Sequence, residues 1–184
     1  MTYEMDVAGL KRDLPLCKVS DELYIGAFVM FGDVELTVHC AAELLKLAPE
    51  YDYIIAPEAK AIPLLYEMAR QSGADKYFLA RKGAKAYMSG VFEVSVKSIT
   101  TMSIQKLVID TADAELIKGK RMLIIDDVIS TGESLHAMEE LVTKAGGIIA
   151  GKMAVLAEGD AQRRNDIICL APLPLFNPDG TVKE

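Results

Sequence analysis

Met122-Leu123-Ile124-Ile125-Asp126-Asp127-Val128-Ile129-Ser130-Thr131-Gly132-Glu133-Ser134 is the stretch that decides the fold. Four apolar residues run into two carboxylates, then a short hydroxyl-rich turn with one glycine, then a segment that reads as a helix. Leu135, Met138, Leu141, Val142 and Ala145 fall on one face of Glu133–Ala145, and Gly146-Gly147 ends it. A strand, a turn and a helix N-terminus in this order make a cradle for a dianionic phosphate. Backbone N–H groups and the positive end of the helix dipole point at the ligand, hydroxyls add donors, and Gly132 admits close approach. Asp126 and Asp127 repel a phosphate but suit hydroxyl groups or a Mg²⁺-bound species. A sugar phosphate satisfies both halves. An ordinary strand–turn with a Ser/Thr helix cap is the alternative reading.

Working outward, apolar strands alternate with helices on both sides of this segment. Glu35–Ala48 reads as a helix stopped by Pro49, Tyr51–Ala56 as a buried strand, and Ala61–Ser72 as a helix with Pro63 in its first turn. Lys76–Ala80, Leu107–Asp110, Met122–Ile125, Ile148–Leu156 and Ile167–Leu170 read as further strands. Strands apolar on both faces, separated by helices, predict an α/β fold: a mainly parallel twisted sheet flanked by helices. Such sheets bind ligands beyond the carboxyl ends of their strands. Residues 1–34 read as irregular. Residues 81–106, rich in Ser, Thr and Lys with weak periodicity, read as a partly β, mobile excursion.

Composition narrows the function classes. The 184 residues carry 20 Lys+Arg and 27 Asp+Glu, a net charge of −7, with 51% apolar residues. That is a globular balance, and it argues against a sequence-independent nucleic-acid binder, which needs a basic face. No apolar run approaches the ~18–20 residues of a membrane helix. The acidic start, Met1–Asp6, argues against a secretory signal. Cys17, Cys40 and Cys169 form no CxxC pair and read as reduced thiols of a cytoplasmic protein. His39 and His136 read as packing or surface residues. Gly146–Met153 nearly matches a nucleotide-binding loop but lacks the Mg²⁺-binding hydroxyl and leads into a strand.

Ile124–Ser134 resembles the phosphoribosyl-pyrophosphate (PRPP) signature of type I phosphoribosyltransferases. Pro57-Glu58-Ala59-Lys60-Ala61 and Arg81-Lys82-Gly83-Ala84-Lys85 extend the resemblance toward the adenine branch, which has Pro-Glu-Ala/Ser-Arg-Gly and Arg-Lys-Pro-Gly-Lys there. The resemblance implies a single domain over 1–184, with 1–34 as an N-terminal hood segment and 83–106 as a flexible loop. It implies transfer of the phosphoribosyl group from PRPP to a nucleobase, a purine such as adenine, by a cytoplasmic homodimer with no nucleic-acid or membrane partner. Asp126 and Asp127 would be catalytic and take the ribose hydroxyls, with Mg²⁺ nearby. Val128, Ile129, Ser130, Thr131, Gly132, Glu133 and Ser134 would complete the PRPP site. Ala59, Lys60, Arg81, Lys82 and Lys85 would meet pyrophosphate, and Ala27 and Phe28 the base. Glu133 stands where the family commonly has Gly, Lys60 where it has Arg, and the excursion lacks Tyr-x-Leu-Glu-Tyr-Gly. A non-catalytic PRPP- or nucleotide-sensing regulator of the same fold is the second reading. Against it, Lys11, Arg12 and Lys18 are the only cations before the first helix, and the segment is too short for a winged helix.

Overall fold

A computed structural model describes residues 1–97 and 104–183. The elements are β1 (Thr2–Val7), β2 (Leu10–Ser20), β3 (Leu23–Gly26), α1 (Val34–Leu47), β4 (Tyr53–Pro57), α2 (Ile62–Ser72), β5 (Phe78–Ala80), β6 (Val91–Lys97), β7 (Ile104–Asp110), α3 (Thr111–Ile117), β8 (Arg121–Ile129), α4 (Glu133–Lys144), β9 (Ile148–Glu158), a 3₁₀ turn (Gly159–Arg163), β10 (Ile168–Leu173) and β11 (Leu175–Phe176). Five strands form the predicted parallel sheet in the order β10-β9-β8-β4-β5. Side chains alternate across it. Leu123 and Ile125 pack into one buried cluster with residues of α1 and α2, while Met122 and Ile124 pack into another with residues of α4. Among the described residues no helix is long and apolar enough to cross a membrane.

The strand order places the ligand crevice. From β4 the chain runs through α2 to β5 on one side; from β8 it runs through α4 to β9 on the other. The order reverses between β4 and β8, where doubly wound sheets bind their ligands. The β4–β8 pairing stops at Ile55 beside Ile124, so the two chains part beyond that point and leave a gap at the carboxyl edge.

Two expectations are corrected. Residues 1–34 are not irregular: β1, β2, β3 and β11 form a four-stranded antiparallel sheet. Met5, Val7 and Leu14 point inward while charged residues alternate outward. Ala8 and Gly9, at φ +55° and +80°, make the two-residue turn that matches strand twist. The expected excursion is also more ordered. β6 and β7 form an antiparallel hairpin, and Val94, Leu107 and Ile109 are buried in the second cluster. Part of the segment expected to be mobile, residues 98–103, lies outside the described residues. A short helix the periodicity did not reveal, α3, follows, its first turn capped by Asp110 accepting from Ala112 N–H at 3.0 Å.

Glu67 on α2 is a buried carboxylate that accepts from Arg70 Nη2 (2.7 Å) and Gln71 Nε2 (2.7 Å). The Arg70 bond, followed by that from Gln71, lowers its pKa from 4.5 to about 2. A depressed carboxylate contributes stability above its unfolded pKa and loses it as pH falls toward the folded value. The Glu67→Gln variant is therefore expected to have a lower urea midpoint than the native chain at pH 7, with the gap closing between pH 4.5 and 2. A pH-independent gap in paired urea titrations contradicts this.

Candidate active site

β8 does not end at Ile125. It continues through Asp126 and Asp127 to Ile129, pairing with β9 as far as Ala157, because Val128 and Ile129 are themselves good strand formers. The turn is therefore only Ser130–Gly132. Gly132, at φ +80° and ψ 2°, caps α4 in a conformation that favours glycine. The first intrahelical bond runs from His136 N–H to Gly132 C=O at 2.8 Å, so the N–H groups of Ser134 and Leu135 find no acceptor one turn back in the helix, while Glu133 N–H donates to Thr131 Oγ1 at 3.4 Å. Ser134 and Leu135 line a cavity of about 50 Å³ with Asp126, Ser130, Thr131 and Gly132 among others. It is small, polar and anion-seeking in its backbone, with a carboxylate at its rim.

The strand's alternation separates the paired carboxylates. Asp126 lies on the α4 face and lines the cavity at the turn; its Oδ1 accepts from the Asp127 N–H at 2.8 Å. Burial, then the neighbouring Asp127 charge, pushes its pKa well above the usual carboxylate range. Asp127 lies on the opposite face. Its side chain is only 4% exposed, and its Oδ2 lies 2.8 Å from Lys60 Nζ. That contact is an ion pair by distance only, since Asp127 Oδ2 has no aligned hydrogen bond among the described residues.

Lys60 arrives from the loop after β4, whose Glu58–Ala59 peptide bond is cis. The loop after β5 meets it through Glu58. Glu58 N–H donates to Ala80 C=O (2.8 Å), and the Glu58 carboxylate accepts from Lys82 N–H (3.1 Å) and pairs with Arg81 Nε (3.1 Å). Burial pushes the Glu58 pKa up, but the Lys82 N–H and the charges of Arg81 and Lys85 outweigh it and hold it below the ordinary value. Arg81 is also bridged to Val108 through both backbone groups at 2.8 Å, which ties this loop to β7. Ala59, Lys60, Arg81, Lys82 and Lys85 thus come to one edge of the sheet. Glu58, which joins the two loops, was quoted in the motif but given no role; only its spacing before Lys60 hinted at one. Glu158, at the end of β9, is a further missed carboxylate near Lys60: burial raises its pKa and Lys60 opposes the rise.

The expected base-side residues, Ala27 and Phe28, line a different cavity from that of the turn. Phe28 is buried in the first core cluster, and Ala27 N–H donates to Pro15 C=O at 2.8 Å. Both line a cavity of about 260 Å³ with Arg12 and Asp33. Burial raises the Cys40 thiol to about 12 and the Cys169 thiol to about 11, which keeps both protonated.

The Ser130–Gly132 turn, two acids at the adjoining strand and two basic loops across the switch point form one constellation. Residues 39–171 match the phosphoribosyl transferase domain family. The chain belongs to that family. The matched stretch takes in both basic loops and the Ser130–Gly132 turn. The chain is 24% identical over 189 residues to the adenine phosphoribosyltransferase of Petrotoga mobilis, covering 98% of this chain and 95% of that one. It is 32% identical over 114 residues to the hypoxanthine/guanine phosphoribosyltransferase of Methanocella paludicola, covering 62% and 56%. Among solved structures, adenine phosphoribosyltransferase from Thermoanaerobacter pseudethanolicus superposes with a TM-score of 0.63 at 23% identity, covering 76% of this chain and 82% of that one. This last likeness concerns the fold, and it agrees with the α/β architecture and parallel sheet described above.

Proposed function

We propose that the chain transfers the 5-phosphoribosyl group from PRPP to adenine and releases pyrophosphate. The observation that carries the reading is the convergence of the Ser130–Gly132 turn, the Asp126–Asp127 pair and the Lys60 and Arg81 loops on the carboxyl edge between β4 and β8. Adenine is favoured because the likeness to the Petrotoga protein runs almost end to end, whereas the hypoxanthine/guanine likeness covers under two thirds of the chain.

In this reaction a ring nitrogen of the base forms a bond to C1′ as the C1′–O bond to pyrophosphate breaks; the electron pair leaves with pyrophosphate, and the proton of the ring N–H is released to water or to the departing pyrophosphate. The protein needs no nucleophile; it holds the parts in line and stabilises the charge that departs. The N–H groups and hydroxyls of residues 130–134 hold the 5′-phosphate. Asp126 and Asp127 take the ribose hydroxyls. Lys60, Arg81, Lys82 and Lys85 receive the pyrophosphate, with Ala59 lining its loop and Glu58 fixing the two loops to each other. Ala27 and Phe28 stand on the base side, their cavity being the support. Excluding water from the closed site matters here because water would otherwise hydrolyse PRPP.

The residues present fit Mg²⁺. Asp127 Oδ2 is a buried hard oxygen without an aligned hydrogen bond, and Asp126 stands beside it. Among the described residues no group of three or more His, Cys, Asp or Glu forms a metal cage. That suits an ion held by one or two carboxylates plus substrate oxygens. When bound, Mg²⁺ supplies neutralisation of the departing pyrophosphate charge.

A cytoplasmic homodimer completes the reading, with no nucleic-acid or membrane partner. The free thiols and net charge of −7 support the first and last parts. A groove of about 230 Å³ whose lining includes the exposed Val34, Val38 and Tyr66 supports the dimer.

Pyrophosphate release assayed with PRPP, MgCl₂ and a panel of adenine, hypoxanthine, guanine, orotate and uracil tests the proposal. Turnover is expected with adenine. Turnover with another base alone overturns the base assignment, and none with any base overturns the enzymatic reading.

A further inference from the structure

Arg164 lies just beyond the 3₁₀ turn, and its backbone N–H donates to Ala161 C=O at 3.1 Å. Its side chain is held from one side only. Nε donates to Asp166 Oδ1 at 2.9 Å and Nη2 to Asp166 Oδ2 at 2.7 Å, a two-pronged fork that fixes the guanidinium plane. Asp166 is itself held by Lys152 Nζ, which also donates to Glu139 Oε1 on α4 at 2.7 Å. The Arg164 bonds, then that of Lys152, keep the Asp166 carboxyl well below its ordinary range, so the anchor stays charged. The chain of charges therefore ties the loop after β9 to the body of α4.

The remaining nitrogen, Nη1, makes no hydrogen bond among the described residues. It is lodged against the phosphate turn: a Cβ built on Gly132 would stand 2.7 Å from it. Such a charge would strengthen the turn's hold on a dianion. A sugar phosphate brings about −1.5 to −2 charges at pH 7, against roughly +0.5 from a helix terminus. The cavity lining holds no Lys or Arg and does hold the Asp126 carboxylate. Lys60, Arg81, Lys82 and Lys85 belong to the loops after β4 and β5, and Lys60 is engaged by Asp127.

We infer that Arg164 is a phosphate-binding residue of this site: Nη1 gives the 5′-phosphate a charge-assisted hydrogen bond that the turn's own groups do not supply, while Asp166 holds the guanidinium in position. The inference rests on the PRPP reading of the turn and deepens it. It makes selectivity for phosphorylated ribose depend on a loop 32 residues away from Gly132 (164 − 132).

Calorimetric titration of ribose 5-phosphate and, separately, of Mg²⁺–pyrophosphate onto the native chain and its Arg164→Gln and Arg164→Lys variants tests this. Losing one hydrogen bond to a charged group predicts about 30-fold weaker ribose 5-phosphate binding for Arg164→Gln. Mg²⁺–pyrophosphate binding stays unchanged. Lys keeps the charge but not the fork, so about fivefold weakening is expected for it. In steady-state assays the KM for PRPP rises with kcat changing less than about twofold. A purely structural role for Arg164 would weaken both ligands together. If the native chain binds ribose 5-phosphate and Arg164→Gln binds it equally well, this inference alone fails. If Arg164→Gln does not fold, an Arg164→Lys variant indistinguishable from the native chain overturns it. If the native chain binds no ribose 5-phosphate, the reading of the turn fails with it.

Discussion

Replacing Asp127 by Asn is expected to lower kcat/KM for PRPP about 100-fold while leaving the fold as stable as before, or more so. The two halves of that expectation have different causes. A carboxylate taking hydroxyl or metal-borne charge contributes about 1.5–3 kcal/mol per charged hydrogen bond, which converts to a factor of about 10–150 in binding. Asparagine keeps the shape and loses the charge. Stability moves otherwise. Asp127 is buried, yet its one cationic partner, Lys60, is half exposed at 51%, and the contact lacks hydrogen-bond alignment. A buried charge with such poor compensation is a cost to the ligand-free fold, and its removal is neutral or stabilising. The variant should therefore show an unchanged or raised melting temperature without ligand. With PRPP and MgCl₂ added it should lose most of the upward shift that the native chain shows. An unchanged KM for PRPP, or a large drop in ligand-free melting temperature, would each refute this account of Asp127.

The same residue shows what was legible beforehand. The run Met122–Ile125, the glycine and the amphipathic pattern of Glu133–Ala145 carry strong periodic signals, so the strand–turn–helix could be read directly. Which face each aspartate takes follows from strand alternation only if the strand continues past Ile125, and an apolar run followed by two charges reads as its end. The N-terminal strands were hidden for a related reason. Lys11, Asp13 and Lys18 are exposed on β2, and the inward set of Met5, Val7 and Leu14 is too sparse to stand out. In α3 only Ala114 and Ile117 are buried, too few to mark a helical period. Phe28, which reads equally as base platform or core, is buried in the core. Glu58 and Arg164 act through partners brought near by topology: Glu58 on the backbone of Lys82, Arg164 at Gly132. No spacing rule along the chain encodes either contact.

Gly132→Ala is expected to be the most damaging single-atom-scale change at the site, cutting kcat/KM for PRPP by about 100-fold or more with the protein still folded. Two separate penalties meet there. At φ +80° an L side chain is strained by roughly 1–2 kcal/mol, so the turn relaxes toward another conformation and its N–H groups leave their alignment on the phosphate. The new Cβ also stands 2.7 Å from Arg164 Nη1. The end of an arginine can usually move aside, but this one is anchored to Asp166 by two bonds, at 2.9 and 2.7 Å, so yielding means breaking the fork. The penalties are separable in a double-mutant cycle. In an Arg164→Ala background the steric part vanishes and the backbone strain remains. The Gly132→Ala stability loss, read from urea midpoints, should therefore be smaller in that background, while PRPP turnover stays as low as in the single Gly132 variant. Equal stability losses in the two backgrounds would mean that the guanidinium does not rest on the turn. Restored turnover would mean that the glycine's conformation is dispensable, and the cradle would then need another explanation.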